Sequence, residues 1–81
     1  MNAPKPVYPR LAAMAEVQGV VTLDAVIGTD GRIKSLKLVS GSPLLAEAAM
    51  DAVKQWVYRP TYLNGRAVEV ATEVDVHFQL S

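Results

Sequence analysis

Val68-Glu69-Val70-Ala71-Thr72-Glu73-Val74-Asp75-Val76-His77-Phe78-Gln79-Leu80 alternates from end to end. Val68, Val70, Thr72, Val74, Val76, Phe78 and Leu80 fall on one parity, and Glu69, Ala71, Glu73, Asp75, His77 and Gln79 on the other. Successive side chains of a strand point to opposite faces, so this pattern predicts one long strand over 68–80, dry on one face and wet on the other. Immediately upstream, Asn64-Gly65 is a turn signal. Before it, Val57-Tyr58-Arg59-Pro60-Thr61-Tyr62-Leu63 reads as extended chain interrupted by Pro60. Further back, Ser42-Pro43 marks a helix start, with Ser42 as the cap and Pro43 at the first helical position. Leu44, Leu45, Ala48, Ala49, Ala52, Val53 and Trp56 then recur at three- and four-residue spacing, a stripe that can lie on a sheet. Glu47, Asp51, Lys54 and Gln55 fill the opposite face.

Residues 20–28 are β-branched and roughly alternating, which predicts a strand, and Asp30-Gly31 predicts a two-residue type I′ turn into a return strand from Arg32 to Val39. In that register Thr29 faces Arg32, Ala25 faces Leu36 and Leu23 faces Leu38. Val21, Leu23, Ala25, Ile27, Leu36 and Leu38 then share a face. Ile33 lands on the wrong side, which calls for a bulge near the turn. Pro4, Pro6 and Pro9 favour an extended run, read as the end of a linker over 1–9. Arg10 to Glu16 is Ala-rich and predicts one or two helical turns opened by Pro9 and closed before Gly19.

These elements assemble into an α+β fold over 10–81. It is a three-stranded antiparallel sheet of order 2-1-3 with one long and one short helix packed on one face. The order places the 68–80 strand on the outside, with one row of main-chain groups unpaired. Long open edges are hazards that proteins usually blunt, yet Glu69, Glu73 and Asp75 sit on the wet face and leave the hydrogen-bonding edge open. The functional reading is that a partner segment adds as another strand. The alternative is that the N-terminal segment or a second copy covers the edge.

Composition narrows the function further. The chain has 81 residues, with eight Lys+Arg against eight Asp+Glu, one His and no Cys. A domain this size buries only about 60% of its unfolded surface, which leaves little room for a deep pocket. Zero net charge argues against nucleic acid as a partner. The lack of cysteine removes disulfides, thiolate nucleophiles and Cys-based metal sites. No apolar run approaches the roughly 20 residues of a membrane span and no leader pattern is present, so the expectation is a folded module cut from something longer.

Neither the only histidine nor the serines assemble a catalytic centre. His77 shares its face with Glu73, Asp75 and Gln79, but same-face strand residues stand about 6–7 Å apart and point in parallel, a poor geometry for a metal or an acid–base pair. Ser40 and Ser42 have no nearby base, and capping accounts for Ser42. The glycines sit at turns and cradle no phosphate. The chain is therefore expected not to be an enzyme and to need no cofactor. Trp56, Tyr58, Tyr62 and Tyr8 are read as core and core-rim packing.

Several short motifs, in order, resemble a known family. They are Tyr8-Pro9, Gly19-Val20-Val21, Asp30-Gly31-Arg32-Ile33, Ser40-Gly41-Ser42, Ala48-Ala49 to Trp56-Val57-Tyr58-Arg59-Pro60, Asn64-Gly65 and Val76-His77-Phe78-Gln79-Leu80. Together they resemble the TonB C-terminal domain family over about nine-tenths of the chain.

The resemblance implies a periplasmic domain, anchored to the inner membrane in the full-length protein, that binds the TonB box of outer-membrane receptors as an added strand. Energy would come from the proton motive force through ExbB and ExbD, by way of the N-terminal part of that longer protein, to drive uptake of siderophores and other nutrients. It implies partner contacts along Val70, Ala71, Thr72, Glu73, Val74, Asp75, Val76 and His77. Further contacts fall on Lys5, Pro6, Val7, Tyr8 and Pro9, with Arg10 beside them. The sequence departs from the family where Leu11 stands two residues after the Tyr-Pro proline in place of an arginine, Arg10 being one position early. It also departs in Thr61-Tyr62-Leu63-Asn64-Gly65-Arg66-Ala67-Val68. A TolA-like envelope domain or a fused sensor with another peptide partner is the alternative, and a strand-exchanged homodimer would use the same edge.

Overall fold

The computed structural model describes residue 3 and residues 5–80; Met1, Asn2 and Pro4 of the expected linker, and Ser81, lie outside the described residues. Two helices and five strands follow in the order α1 (Arg10–Met14), β1 (Gly19–Ile27), β2 (Ile33–Ser40), α2 (Pro43–Lys54), β3 (Thr61–Leu63), β4 (Arg66–Val68) and β5 (Val70–Phe78). The main sheet has the expected antiparallel order, β2-β1-β5, with β1 in the centre.

The core is built from alternate residues of this sheet. Val21, Leu23, Ala25 and Ile27 of β1 and Val74, Val76 and Phe78 of β5 are buried against Leu45, Ala49 and Val53 of α2 and Ala12 of α1. Small alanines at 49 and 52 allow the helix to lie close on the strands. Ser42 caps α2 by accepting the Leu44 N–H at 3.3 Å, and Pro43 occupies the first turn, where a missing N–H costs nothing.

Several boundaries differ from the sequence expectation. Pro9 is the N-cap of α1, not its first residue, and the helix ends at Met14. Leu44 is exposed while Ala46 is buried, because the arc facing the sheet is centred on Leu45, Ala49 and Val53. Trp56 lies beyond the helix end, partly buried against the core. Leu38 sits on the outer strand β2 and remains exposed.

The strand expected over 68–80 is divided. Asn64 (φ 52°) and Gly65 (φ 78°) form a two-residue hairpin turn that pairs Thr61 with Val68, so Val68 belongs to a small separate ribbon and β5 starts at Val70. Between the two, the Glu69 carboxylate meets the Lys34 ammonium.

The β1–β2 turn also differs. Asp30 is not among the residues with positive φ; only Gly31 (φ 83°) takes that conformation in the turn. Gly28 donates to the Arg32 carbonyl at 2.8 Å and accepts from the Gly31 N–H at 3.0 Å, which makes Thr29-Asp30-Gly31 a three-residue loop. The extra residue shifts the register by one, and a bulge between Val26 and Ile27 shifts it back. Ala25 therefore faces Leu36 and Leu23 faces Leu38, as expected, while Ile33 turns to the core side opposite Ile27.

Gly31 carries a second constraint. A Cβ there would stand 2.0 Å from the Tyr58 carbonyl oxygen, since Tyr58 N–H bonds to the Gly31 carbonyl and draws the chain after α2 against the turn. At Gly65 the same positive φ faces open space. Gly65→Ala should cost about 1 kcal/mol from backbone strain alone, whereas Gly31→Ala should cost about 3 kcal/mol or more, as read by urea unfolding.

Candidate functional site

Main-chain groups on a strand alternate sides, and the turn shows which way β1 points. Gly28 directs its N–H and C=O to β2. β1 pairs with β5 in nine consecutive steps from Gly19↔Phe78 to Ile27↔Val70 without a shift. Counting back by twos, Val26, Asp24 and Thr22 face β2, and Ile27, Ala25, Leu23 and Val21 face β5. On β5 the partners of the latter, Val70, Thr72, Val74 and Val76, bond inward. The Leu80 N–H, of the same parity, also turns inward, donating to Gln18 Oε1 at 2.7 Å just ahead of β1.

Ala71, Glu73, Asp75 and His77 thus direct their N–H and C=O groups away from the sheet. Among the described residues no strand pairs with this outer edge. The expected contact row of 70–77 therefore splits into two sets. Val74 and Val76 are buried and hold the domain together, while Ala71, Glu73, Asp75 and His77 have exposed side chains on the open face of the sheet. Asp75 accepts a hydrogen bond from Thr22 Oγ1 at 2.8 Å across the ladder, and Glu73 stands opposite Asp24.

β2 is also an edge, which the sequence reading did not weigh. It carries two register shifts and exposes Lys34 and Lys37, features that blunt an edge against further pairing. β5 has no such shift in its ladder. The signal was present as Asp30-Gly31 and the out-of-phase Ile33.

The N-terminal residues flank the second half of β5. The Tyr8 ring meets Phe78 edge-on with centroids 5.5 Å apart, and its hydroxyl donates to the Val17 carbonyl. With Lys5, Pro6 and Trp56 it lines a shallow groove of about 410 Å³ along Asp75–Gln79. Val7, Pro9 and Arg10 turn away and line a different groove against α2. The six expected N-terminal contacts thus divide, with Lys5 lining both grooves. Among the described residues this segment makes no ladder with β5 and borders the edge there.

A family model described as Gram-negative bacterial TonB protein C-terminal matches residues 4–80. The chain belongs to that family. It is 34% identical over 83 residues to Protein TonB of Xanthomonas campestris pv. campestris (strain B100), covering all of this chain and 36% of that protein. It is 30% identical over 78 residues to Protein TonB of Vibrio cholerae serotype O1, covering 94% of this chain and 32% of that protein. The chain spans about a third of the length of these curated relatives. The solution NMR structure of the Pseudomonas aeruginosa TonB CTD has the same fold, with a TM-score of 0.82 at 24% identity over 99% of this chain and 83% of that one.

Beside the groove, Trp56 and Tyr58 stack at a tilt, 6.4 Å apart. Burial pushes the Tyr58 hydroxyl above its ordinary value of 10.0, because desolvation disfavours the phenolate. The neutral phenol therefore supports the fold below about pH 10, and this support is lost as pH rises through the raised value. Tyr58→Phe should flatten the loss of stability measured by chemical denaturation above that pH.

The alternating ladder makes a sharper prediction. In hydrogen exchange the amides of Thr72, Val74 and Val76 should be strongly protected, and those of Glu73, Asp75 and His77 should exchange at least about tenfold faster. Uniform protection along β5 would mean that its outer edge is covered in solution.

Proposed function

We propose that this chain is the receptor-binding domain of a TonB-type energy transducer. It binds the TonB box of an outer-membrane transporter as a fourth strand on β5. The observation that carries this reading is the regular outer edge of β5, where Ala71, Glu73, Asp75 and His77 offer four outward N–H and four outward C=O groups with no partner among the described residues. Such an edge recognises an extended segment through its main chain and needs no pocket or charge surplus. Family membership supports the same reading.

In the full-length protein the domain works in the periplasm, tethered to the inner membrane and driven through ExbB and ExbD. Its role is mechanical: it grips and transmits force to the transporter, and it catalyses no reaction. Residues Lys5, Pro6 and Tyr8, beside the added strand, supply side-chain contacts at one end of it, and Val7, Pro9 and Arg10 contact the transporter on the flank away from it.

Four or so main-chain hydrogen bonds, each with a net value near 1 kcal/mol, supply about 4 kcal/mol, a millimolar-class affinity, so side-chain burial beside the added strand supplies any tighter binding. A synthetic TonB-box peptide titrated into the isotope-labelled domain should shift and protect the amides of Ala71, Glu73, Asp75 and His77 first. Asp75→Pro deletes one outward donor, which an edge strand tolerates, and should weaken the peptide at least about tenfold while the domain stays folded. Val74→Pro deletes an inward donor and should unfold the sheet. Peptide shifts confined to β2, or unaltered affinity in Asp75→Pro, would refute strand addition at β5.

A further inference from the structure

The free edge does not stop where β5 begins. Val68 pairs with Thr61 of β3 and Val70 pairs with Ile27 of β1, so across Glu69 the inner neighbour changes while the chain runs on. Period-two alternation passes through Glu69 unbroken, and the φ of Glu69 is not positive. The chain enters β3 from the β1–β2 turn, where Arg32 bridges Val57 and the Tyr58 N–H bonds to the Gly31 carbonyl. Val68 and Val70 share a parity, so both direct their main-chain groups to the same side. Beyond the turn, β3 takes the place beside β4 that β1 holds beside β5.

Hairpin geometry identifies the spare groups. In a two-residue hairpin the residues flanking the loop exchange both main-chain bonds, and bonded and unbonded pairs alternate from there. Leu63–Arg66 and Thr61–Val68 are the bonded pairs, and Tyr62–Ala67 is the unbonded one. Ala67 therefore directs its N–H and C=O away from β3. It has the parity of Glu69, Ala71, Glu73, Asp75 and His77, and among the described residues β4 has no strand partner except β3. At about 3.3 Å per residue, starting the outward row at Ala67 instead of Ala71 lengthens it from about 20 Å to about 33 Å.

Side chains on the ribbon differ from those along β5. Tyr62 is 66% exposed and shares a face with the small Ala67 across the ladder. Residues 59–68 carry Arg59 and Arg66 and no acid. Among the described residues neither arginine makes an ion pair, while nearby Glu69 is neutralised by Lys34. The outward parity of β5 carries Glu73 and Asp75 instead, so the edge changes charge sign from ribbon to strand. An isolated two-stranded ribbon is also marginal in water, and a third strand on β4 would order it.

We propose that the β3–β4 ribbon extends the strand-addition site past β5 and selects partner segments that continue about four residues beyond it. The continuation carries an acidic residue for Arg66 and an apolar one against Tyr62. This rests on strand addition at β5, and short segments use β5 alone.

NMR titration of the isotope-labelled domain with synthetic peptides tests the extension. The reference is a TonB-box peptide. Extended versions carry Val-Glu-Val-Glu at its N-terminal or its C-terminal end, and matched controls carry Val-Lys-Val-Lys. One of the two acidic extensions should tighten binding at least about tenfold and shift the Ala67 amide, with no gain from its lysine control. Arg66→Glu should remove that gain and transfer it to the lysine control, leaving the affinity of the reference peptide unchanged. Ala67→Pro deletes an outward donor, which an edge strand tolerates, and should weaken only the extended peptide. Both positions lie outside the core, so circular dichroism should report folded protein in each case.

If the reference peptide shifts Glu73, Asp75 and His77 but neither extension tightens binding or reaches Ala67, the ribbon proposal is overturned and strand addition at β5 stands. A gain that survives Arg66→Glu and shifts Lys5 in place of Ala67 overturns it as well. If the reference peptide leaves the β5 amides unmoved, both readings fall.

Discussion

The structure depends on the β1–β5 ladder, nine consecutive pairs in an unbroken register. β1 is the shared strand. Its core-facing residues Val21, Leu23, Ala25 and Ile27 bond sideways to β5, while the intervening residues bond to β2. One parity on β5 therefore serves both the core and the internal ladder. The other parity is left with wet side chains and unused main-chain groups. Outward-facing residues and core-facing residues are interleaved on one strand without being shared, so the surface of the edge can change without disturbing the core.

Two edges compete in any three-stranded sheet, and their treatment differs here. β2 absorbs an irregular turn through two register shifts and carries exposed lysines, which makes it a poor template for another strand. β5 is regular because its break falls at Glu69, before the ladder begins. There the β3–β4 ribbon closes on its own turn and the Lys34–Glu69 ion pair spans the gap. That exposed pair adds little stability by itself. It marks the point at which the chain leaves the ribbon and enters the sheet. Gly31 and Tyr58 perform a similar task on the other side, fastening the segment after α2 to the β1–β2 turn through a main-chain bond beside the Arg32–Val57 bridge.

Much of this was legible in the residues. Period-two alternation near the C-terminus, the Ser42-Pro43 helix start and the alanine-rich stripe of α2 identified three major elements, and hairpin logic gave the strand order. The errors at the strand ends share a cause. Turn residues tolerate more than one geometry, and which is taken depends on what packs beside them. Asp30-Gly31 was read as a type I′ turn, but Tyr58 lies against Gly31 and the loop takes three residues. Val68 kept the alternation of β5, yet its hydrogen bonds go to Thr61. Periodicity reports side-chain faces and is silent about which neighbour a strand pairs with.

By itself, then, the sequence determined the faces. Which residues of β1 and β5 are dry, where α2 begins, and that a neutral cysteine-free chain of this size has little room for a deep pocket all follow from side-chain chemistry and spacing. Only the tertiary structure decided the edges. Whether a main-chain group is paired or free depends on register, and register is set by turns and bulges distant from the strand concerned. That is why Ala71, Glu73, Asp75 and His77 could be separated from Val74 and Val76 only after Gly28 was seen to face β2. The groove between the N-terminal residues and α2 belongs to the same class, because its walls come from segments more than thirty residues apart that only folding brings together.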